Sequence, residues 1–124
     1  MSYCSKLFVV EKTNVFEDCQ KRYARVIAMF DMGQILELSD VLRKQKETDC
    51  LIYADDGDTE ILEDCYGKPL TESTLAEVID ILQNDVKLTH EYRRVFPVLS
   101  AFGTYYFQEQ KGLWHNLVVL HYGY

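Results

Sequence analysis

The chain lacks the short motifs that carry most enzymatic chemistry. Its six glycines are all isolated in the sequence, so there is no GxGxxG or GxxxxGK(S/T) loop to hold a phosphate group, and nucleotide hydrolysis is disfavoured. No G-x-S-x-G element or other nucleophile motif occurs. The three histidines, His90, His115 and His121, show no local pattern that pairs them with a nucleophile. We therefore expect no catalytic residues.

Closely spaced cysteine pairs are also missing. The spacing of the four cysteines gives no CxxC element; they are Cys4, Cys19, Cys50 and Cys65. Structural zinc sites depend on such closely spaced ligands. We expect four reduced thiols that serve as small apolar side chains. Neither a metal nor another cofactor is expected.

Long apolar segments are absent as well. No run of apolar residues is long enough for a transmembrane helix. The N-terminal segment has only a short apolar patch, without a basic stretch before it or a small-residue cleavage site after it, so no signal peptide is expected. Together with reduced cysteines, these absences favour a cytoplasmic protein without a membrane partner.

The composition is that of a globular domain whose acidity is local. Apolar residues make up 48% and charged residues 27% of the 124 residues, which is enough to form one core. The chain has 13 basic and 20 acidic residues, and eight of the acids lie in residues 47–64, which contain no Lys or Arg. An acidic chain of this kind disfavours direct binding to nucleic acid.

The acidic segment ETDCLIYADDGDTEILED is predicted to form a β-hairpin. Two apolar runs flank Asp56-Gly57, and Asp-Gly suits a type I′ turn because both central residues need positive φ. An EF-hand interpretation fails, since placing Gly57 at the sixth loop position puts Ile52 and Ala54 at ligand positions. The acids around the turn can be explained by turn chemistry in a solvated loop. The alternative is an acidic binding surface.

Three further segments have the composition of strands. Ser5–Glu11 is rich in β-branched and aromatic residues. The segment from about Tyr23 to Phe30 predicts a long strand with both faces largely covered, although its Ala, Met and Arg content leaves a helix as the rival interpretation. Leu117–Leu120 is an apolar run too short for a helix, and it fits a central strand.

Apolar spacing predicts two helices before residue 90. The first covers Ile35 to Leu42, with apolar residues on one face, and places Arg43, Lys44 and Lys46 in its last turns. The second opens near residues 71–74, where Thr74-x-x-Glu77 is the best match to a capping box. We expect this second helix to end at Asn84-Asp85.

A third helix is expected from about Thr89 to Phe102. Pro97 lies inside it and predicts either a kink or a helix that begins near this residue, because proline removes a backbone donor. The following segment, from Gly103 to Gly112, is expected to be an irregular or helical connector. These elements together predict one α+β domain over residues 1–124, in which an antiparallel sheet of about five strands carries two or three helices on one face.

The absent motifs and the local acidity favour a non-enzymatic binding protein. We expect it to engage a basic protein partner, such as a nuclease or a nucleic-acid-binding protein. The residues assigned to this contact are Asp55, Asp56, Asp58, Glu60, Glu63, Asp64 and Tyr66. In size, acidity and lack of a catalytic motif, the chain is similar in kind to small phage or mobile-element proteins that inhibit host defence, such as anti-CRISPR proteins, and to acidic immunity proteins that block a basic nuclease. The alternative is a small-ligand-binding protein or small enzyme with a pocket lined by Tyr and His.

Overall fold

Seven strands and three helices are present in the residues that the computed structural model describes, which are 4–12, 22–34, 36–53, 60–85, 88–114 and 116–124. A π-helical turn, Ile81–Asp85, continues the second helix. In chain order the elements are β1 (Ser5–Lys12), β2 (Arg22–Gly33), α1 (Leu36–Leu42), β3 (Lys46–Glu47), β4 (Cys50–Tyr53), β5 (Glu60–Ile61), β6 (Thr71–Thr74), α2 (Leu75–Asp80), α3 (Leu88–Gln110) and β7 (Leu117–Gly123).

The strands form one sheet in the order β3-β6-β7-β1-β2-β4-β5. The first five strands in that order pair antiparallel throughout. β4 joins the edge of β2 through a short parallel pairing, and β5 returns antiparallel to β4. The expected α+β architecture, with a five-stranded antiparallel sheet and three helices, is therefore confirmed.

The two faces of the sheet bury different side chains. Along β1, Leu7 and Val9 face a core to which all three helices contribute, and Val10 faces a second core on the opposite side. Phe102 of α3 is fully buried in the first core, where its ring meets Phe30 edge to face at 5.4 Å. Burying a side chain of this size stabilises the fold by about 1.5–3 kcal/mol. The helices thus cover one face, while β4 and β5 contribute to the cover of the other.

The long strand predicted for Tyr23–Phe30 is confirmed as part of β2, and the rival helix interpretation is wrong. The expectation that both faces of this strand are covered is also wrong, since Val26 is 37% and Met29 is 49% exposed. β4 pairs with β2 only at Arg22 and Tyr23. Within the described part of the chain, Ala24 is the one residue of β2 that belongs to the second core.

The start of α2 is set by the predicted capping box. Thr74 Oγ1 accepts a hydrogen bond from the Glu77 amide at 3.1 Å, and Glu77 Oε1 accepts one from the Thr74 amide at 3.0 Å. These two bonds satisfy amides that have no partner inside the helix. The four residues before the helix, Thr71–Thr74, form β6, a strand that the sequence pattern did not predict.

Two predicted helix ends are wrong. α1 ends at Leu42, so Arg43 and Lys44 lie in the turn that follows it, and Lys46 lies in β3. The third helix does not stop near Phe102 but continues to Gln110, which confirms the helical version of the connector. Pro97 lies within this continuous helix. Among the described residues, no helix is long and apolar enough to cross a membrane.

The hairpin is confirmed by the pairing of β4 with β5. Ile52 lies opposite Ile61, and Tyr53 lies opposite Glu60. The predicted Asp56-Gly57 turn falls in residues 54–59, outside the described residues. Glu47 is part of the acidic segment in the sequence, but it lies in β3 at the opposite edge of the sheet. There it pairs with Thr71 of β6. The eight acids are therefore not all part of one hairpin.

Candidate functional site

The hairpin and the turn after it expose aromatic and apolar side chains to solvent, and exposed acidic residues lie in the same segment. Tyr53, Leu62 and Tyr66 are 39%, 40% and 40% exposed, respectively. Glu60 and Glu63 are also exposed in the same part of the chain. We call Tyr53, Glu60, Leu62, Glu63 and Tyr66 the hairpin surface. It lies where β5 forms one edge of the sheet.

Asp64 organises the turn that follows β5. Its Oδ1 accepts hydrogen bonds from the backbone amides of Tyr66 at 2.8 Å and Lys68 at 3.0 Å. Gly67 completes the turn with φ of +75° and donates to the Asp64 carbonyl. A residue with a side chain rarely adopts that φ, which explains the glycine. Asp64 is half-buried, and its carboxylate holds Tyr66 at the hairpin surface.

Four of the seven residues predicted for partner binding lie close together in the chain. Glu60 and Glu63 are on the hairpin surface together with Tyr66, and Asp64 supports the turn beside it. The other three, Asp55, Asp56 and Asp58, lie outside the described residues. They belong to the segment that joins β4 to β5.

A pocket of about 760 Å³ adjoins the hairpin surface. It lies between the end of α1, the start of β6, the end of β7 and the turn after β5. Its lining residues are Asp40, Arg43, Lys44, Gln45, Glu47, Asp64, Tyr66, Lys68, Pro69, Thr71 and His121. Pockets of this volume are large enough to enclose a small organic ligand.

A buried Ser–His pair lies at the base of this pocket. Ser5 Oγ and His121 Nε2 are 2.9 Å apart, and the two side chains come from adjacent antiparallel strands. Burial lowers the pKa of His121 to about 4, with Arg43 acting in the same direction and Asp64 opposing it. His121 is therefore neutral near pH 7. Ser5 is 0% exposed, so no substrate can reach its hydroxyl for nucleophilic attack.

A second polar cluster surrounds Lys12 between β1 and β6. The Lys12 ammonium lies 2.9 Å from Glu72 Oε2 and 3.2 Å from Asp49 Oδ1. Glu72 also accepts a hydrogen bond from Thr48 Oγ1 at 2.9 Å. Burial alone would lower the pKa of Lys12, but its hydrogen bonds to Glu72 and Asp49 outweigh that effect and raise the pKa. Lys12 thus stays charged.

This cluster also contains the ligand types of a metal site. Asp49, Cys50 and Glu72 offer ligand atoms within 4.8 Å of one another. However, the Lys12 ammonium already bonds both carboxylates and supplies the positive charge that a metal would bring. Burial raises the pKa of the Cys50 thiol, which disfavours the thiolate form that binds metals. The cluster fits an internal ion pair better than a metal centre.

The described cysteines are free thiols. Cys4, Cys50 and Cys65 form no disulfide, and Cys50 is buried as a small apolar side chain would be. Cys19 lies outside the described residues, as does His115. The expected role of a small apolar side chain fits Cys50, whereas Cys65 is exposed.

The residues that sequence reasoning missed come from distant parts of the chain. Lys12 and Glu72 are 60 residues apart, and Ser5 and His121 are 116 apart. No local motif joins the members of either pair, so only the order of the strands reveals them. Comparison of the chain with protein-family models, curated proteins and solved structures found no match.

Proposed function

We propose that this chain is a non-enzymatic binding protein that engages a basic protein partner through the hairpin surface. The observation that carries this proposal is the exposure of Tyr53, Leu62 and Tyr66 beside Glu60 and Glu63. Aromatic residues are enriched at protein interfaces because they give a large contact area at low entropic cost. Acids at the margin steer a positively charged partner toward that area.

The partner class follows from the distribution of charge. Residues 47–64 carry eight acids and no basic residue; of these, Glu60 and Glu63 belong to the hairpin surface and Asp64 lies in the turn beside it. A nuclease or another nucleic-acid-binding protein exposes the basic patch that such a surface would complement. The chain would then act as an inhibitor or immunity-type protein. Among such inhibitors, we favour a phage or mobile-element protein that acts against host defence.

A pull-down with a charge-matched control tests the proposal. The test variant is Glu60→Gln/Glu63→Gln, which removes two charges from the hairpin surface while keeping side-chain size. The control is Glu11→Gln/Asp80→Asn, which removes the same charge from other exposed contacts. Proteins retained by the wild type at low salt would be identified by mass spectrometry, purified and titrated with each variant.

The expected result is capture of a basic protein whose affinity falls with added salt. The test variant should lose about tenfold or more in affinity, since charges at a complementary interface contribute to steering and register. The control should bind like the wild type. Equal binding by the wild type and the test variant, or retention of only acidic proteins, would contradict the proposal.

A further inference from the structure

One side of α3 exposes aromatic side chains to solvent. Phe96 and Phe107 are 54% and 59% exposed, respectively. Their separation in the sequence is about three helical turns, so both rings lie on the same side of the helix. Pro97 is exposed beside Phe96. The residues that α3 buries in the first core, such as Val95 and Phe102, come from the other side of the helix.

Basic residues lie at both ends of this exposed side. Arg93 is exposed about four turns before Phe107. Lys111 is exposed directly after the helix, with its ammonium 4.8 Å from the centre of the Phe107 ring. Glu109, the acid of α3 whose side chain the structure describes, accepts a hydrogen bond from the Leu117 amide at 2.8 Å and is thus directed toward β7. We define the α3 surface as Arg93, Phe96, Pro97, Phe107 and Lys111.

The α3 surface and the hairpin surface lie on opposite sides of the sheet. α3 packs on the first core, whereas β4 and β5 pack on the second. The two surfaces therefore cannot meet within one copy of the chain. They are nevertheless complementary, since the hairpin surface combines aromatic side chains with Glu60 and Glu63, and the α3 surface combines them with Arg93 and Lys111. Aromatic side chains and opposite charges are the features that matching protein surfaces share.

Charge disfavours the pairing of two identical surfaces. If two α3 surfaces met with their helices antiparallel, Arg93 of each copy would lie beside Lys111 of the other. With the helices parallel, each basic residue would face its own equivalent. Two hairpin surfaces would likewise bring Glu60 and Glu63 of both copies together. Because like charges at a contact cost free energy, only the pairing of unlike surfaces is favoured.

We propose that the hairpin surface of one copy docks on the α3 surface of a second copy. Such a contact is heterologous, because the two copies contribute different residues, and it leaves one surface of each kind exposed at the ends of the assembly. Since the two surfaces lie on opposite sides of the sheet, the copies would stack into open chains that lengthen with concentration. A basic protein bound to the hairpin surface would displace the second copy, so partner binding and self-association would exclude each other.

Sedimentation velocity of the purified chain tests the proposal. The average mass should be near 14.5 kDa at about 10 µM and should rise steadily toward about 1 mM, without a plateau at the mass of a dimer. Raising the salt concentration from about 50 mM to about 500 mM should weaken the association, because the charges of both surfaces are exposed. A monomer at every concentration, or association that salt does not weaken, would overturn the proposal.

Charge reversal identifies the two surfaces that meet. Glu60→Lys/Glu63→Lys reverses the hairpin surface, and Arg93→Glu/Lys111→Glu reverses the α3 surface. Each variant alone should associate at least about tenfold more weakly than the wild type. An equimolar mixture of the two variants should associate again, because each of them supplies the intact surface that the other lacks. A mixture that stays monomeric would rule out a contact between unlike surfaces.

Two controls separate this contact from non-specific effects. Lys44→Glu/Lys46→Glu changes the net charge as much as the reversal of the α3 surface does, but at exposed positions in the turn after α1 and in β3, and should associate like the wild type. Phe107→Ser should weaken association by about tenfold, as expected for an aromatic residue central to a contact. Tyr106→Ser alters an exposed ring on another side of the same helix and should have no effect.

Circular dichroism of each variant shows whether it is folded. Equal losses in the α3 reversal and its charge control, or in the two aromatic variants, would contradict the proposed contact. All of these measurements use the purified chain alone, so they do not depend on whether the hairpin surface also binds a basic protein.

Discussion

The Lys12 ammonium lies 2.9 Å from the Glu72 carboxylate, and the two side chains are only 11% and 8% exposed. Lys12 belongs to β1 and Glu72 to β6, and β7 lies between these two strands in the sheet. The ion pair therefore links strands that have no backbone pairing with each other. It is satisfied further by Thr48 and Asp49, so neither charge is buried without a partner.

Replacing Lys12 by Met should lower the free energy of unfolding by about 3–5 kcal/mol, because the Glu72 carboxylate would remain buried without its counter-ion. The control is Arg43→Met, which breaks an exposed pair with Asp40 and should cost less than about 1 kcal/mol. Urea unfolding would measure both. Adding Glu72→Gln to Lys12→Met should restore part of the loss, and a Lys12 variant as stable as the control would show that the pair is not important.

His121 should make the fold less stable as the pH falls. Its pKa in the folded protein is about 4, below the usual 6.5, so the unfolded chain takes up a proton first on acidification. Stability is therefore fully present above pH 6.5 and is lost as the pH falls toward 4, by up to about 3 kcal/mol. Unfolding free energies measured across this range should fall more steeply for the wild type than for His121→Gln. Parallel pH profiles would contradict this assignment.

Gly67 and Gly103 should respond to the same substitution with opposite sign. Gly67 has φ of +75°, so Gly67→Ala should destabilise the fold by about 1 kcal/mol. Gly103 lies within α3 and is exposed, and a β-carbon added to it would have no atom within 4 Å, so Gly103→Ala should stabilise the fold by up to about 1 kcal/mol. Thermal unfolding of both variants compares them directly. A loss of stability at Gly103 would indicate that this helix face is covered.

Asp55, Asp56 and Asp58 crowd like charges into one short segment. Changing all three to Asn should leave the fold intact and its stability unchanged or slightly higher, because close like charges repel. Affinity for the basic partner should fall by a large factor, and Gly57 is kept because the predicted turn needs it. The melting temperature and the binding titration are measured on the same sample. A folded triple variant that binds normally would assign these acids to a solvated turn.

The strands that could be predicted from sequence are those whose own side chains favour β structure. β1 and β7 are rich in Val and Leu, and each lies within about three residues of the predicted bounds. β6 reads TEST and has no such composition. It becomes a strand because β7 pairs with it on one side and β3 on the other, which is a tertiary effect.

The hairpin and the pocket also differ in whether they could be predicted from the sequence. The hairpin could be predicted because both of its strands and its turn signal lie within one short segment. The pocket could not, since its walls come from α1, β7 and the turn after β5, and no local pattern connects Lys44 with His121. A pocket lined by Tyr and His was the general alternative, but the sequence offered no means to choose which of the three histidines would line it.

The pairing of β1 with β7 means that the centre of the sheet cannot be completed until β7 has been synthesised. β1 occupies the middle of the sheet, yet its partner on one side is the last strand in the chain. On a ribosome, Leu7 and Val9 would emerge long before Leu117 and Val119, which complete their core. The nascent chain would therefore carry an open sheet edge at β1 until β7 emerges, and such an edge can pair with other chains.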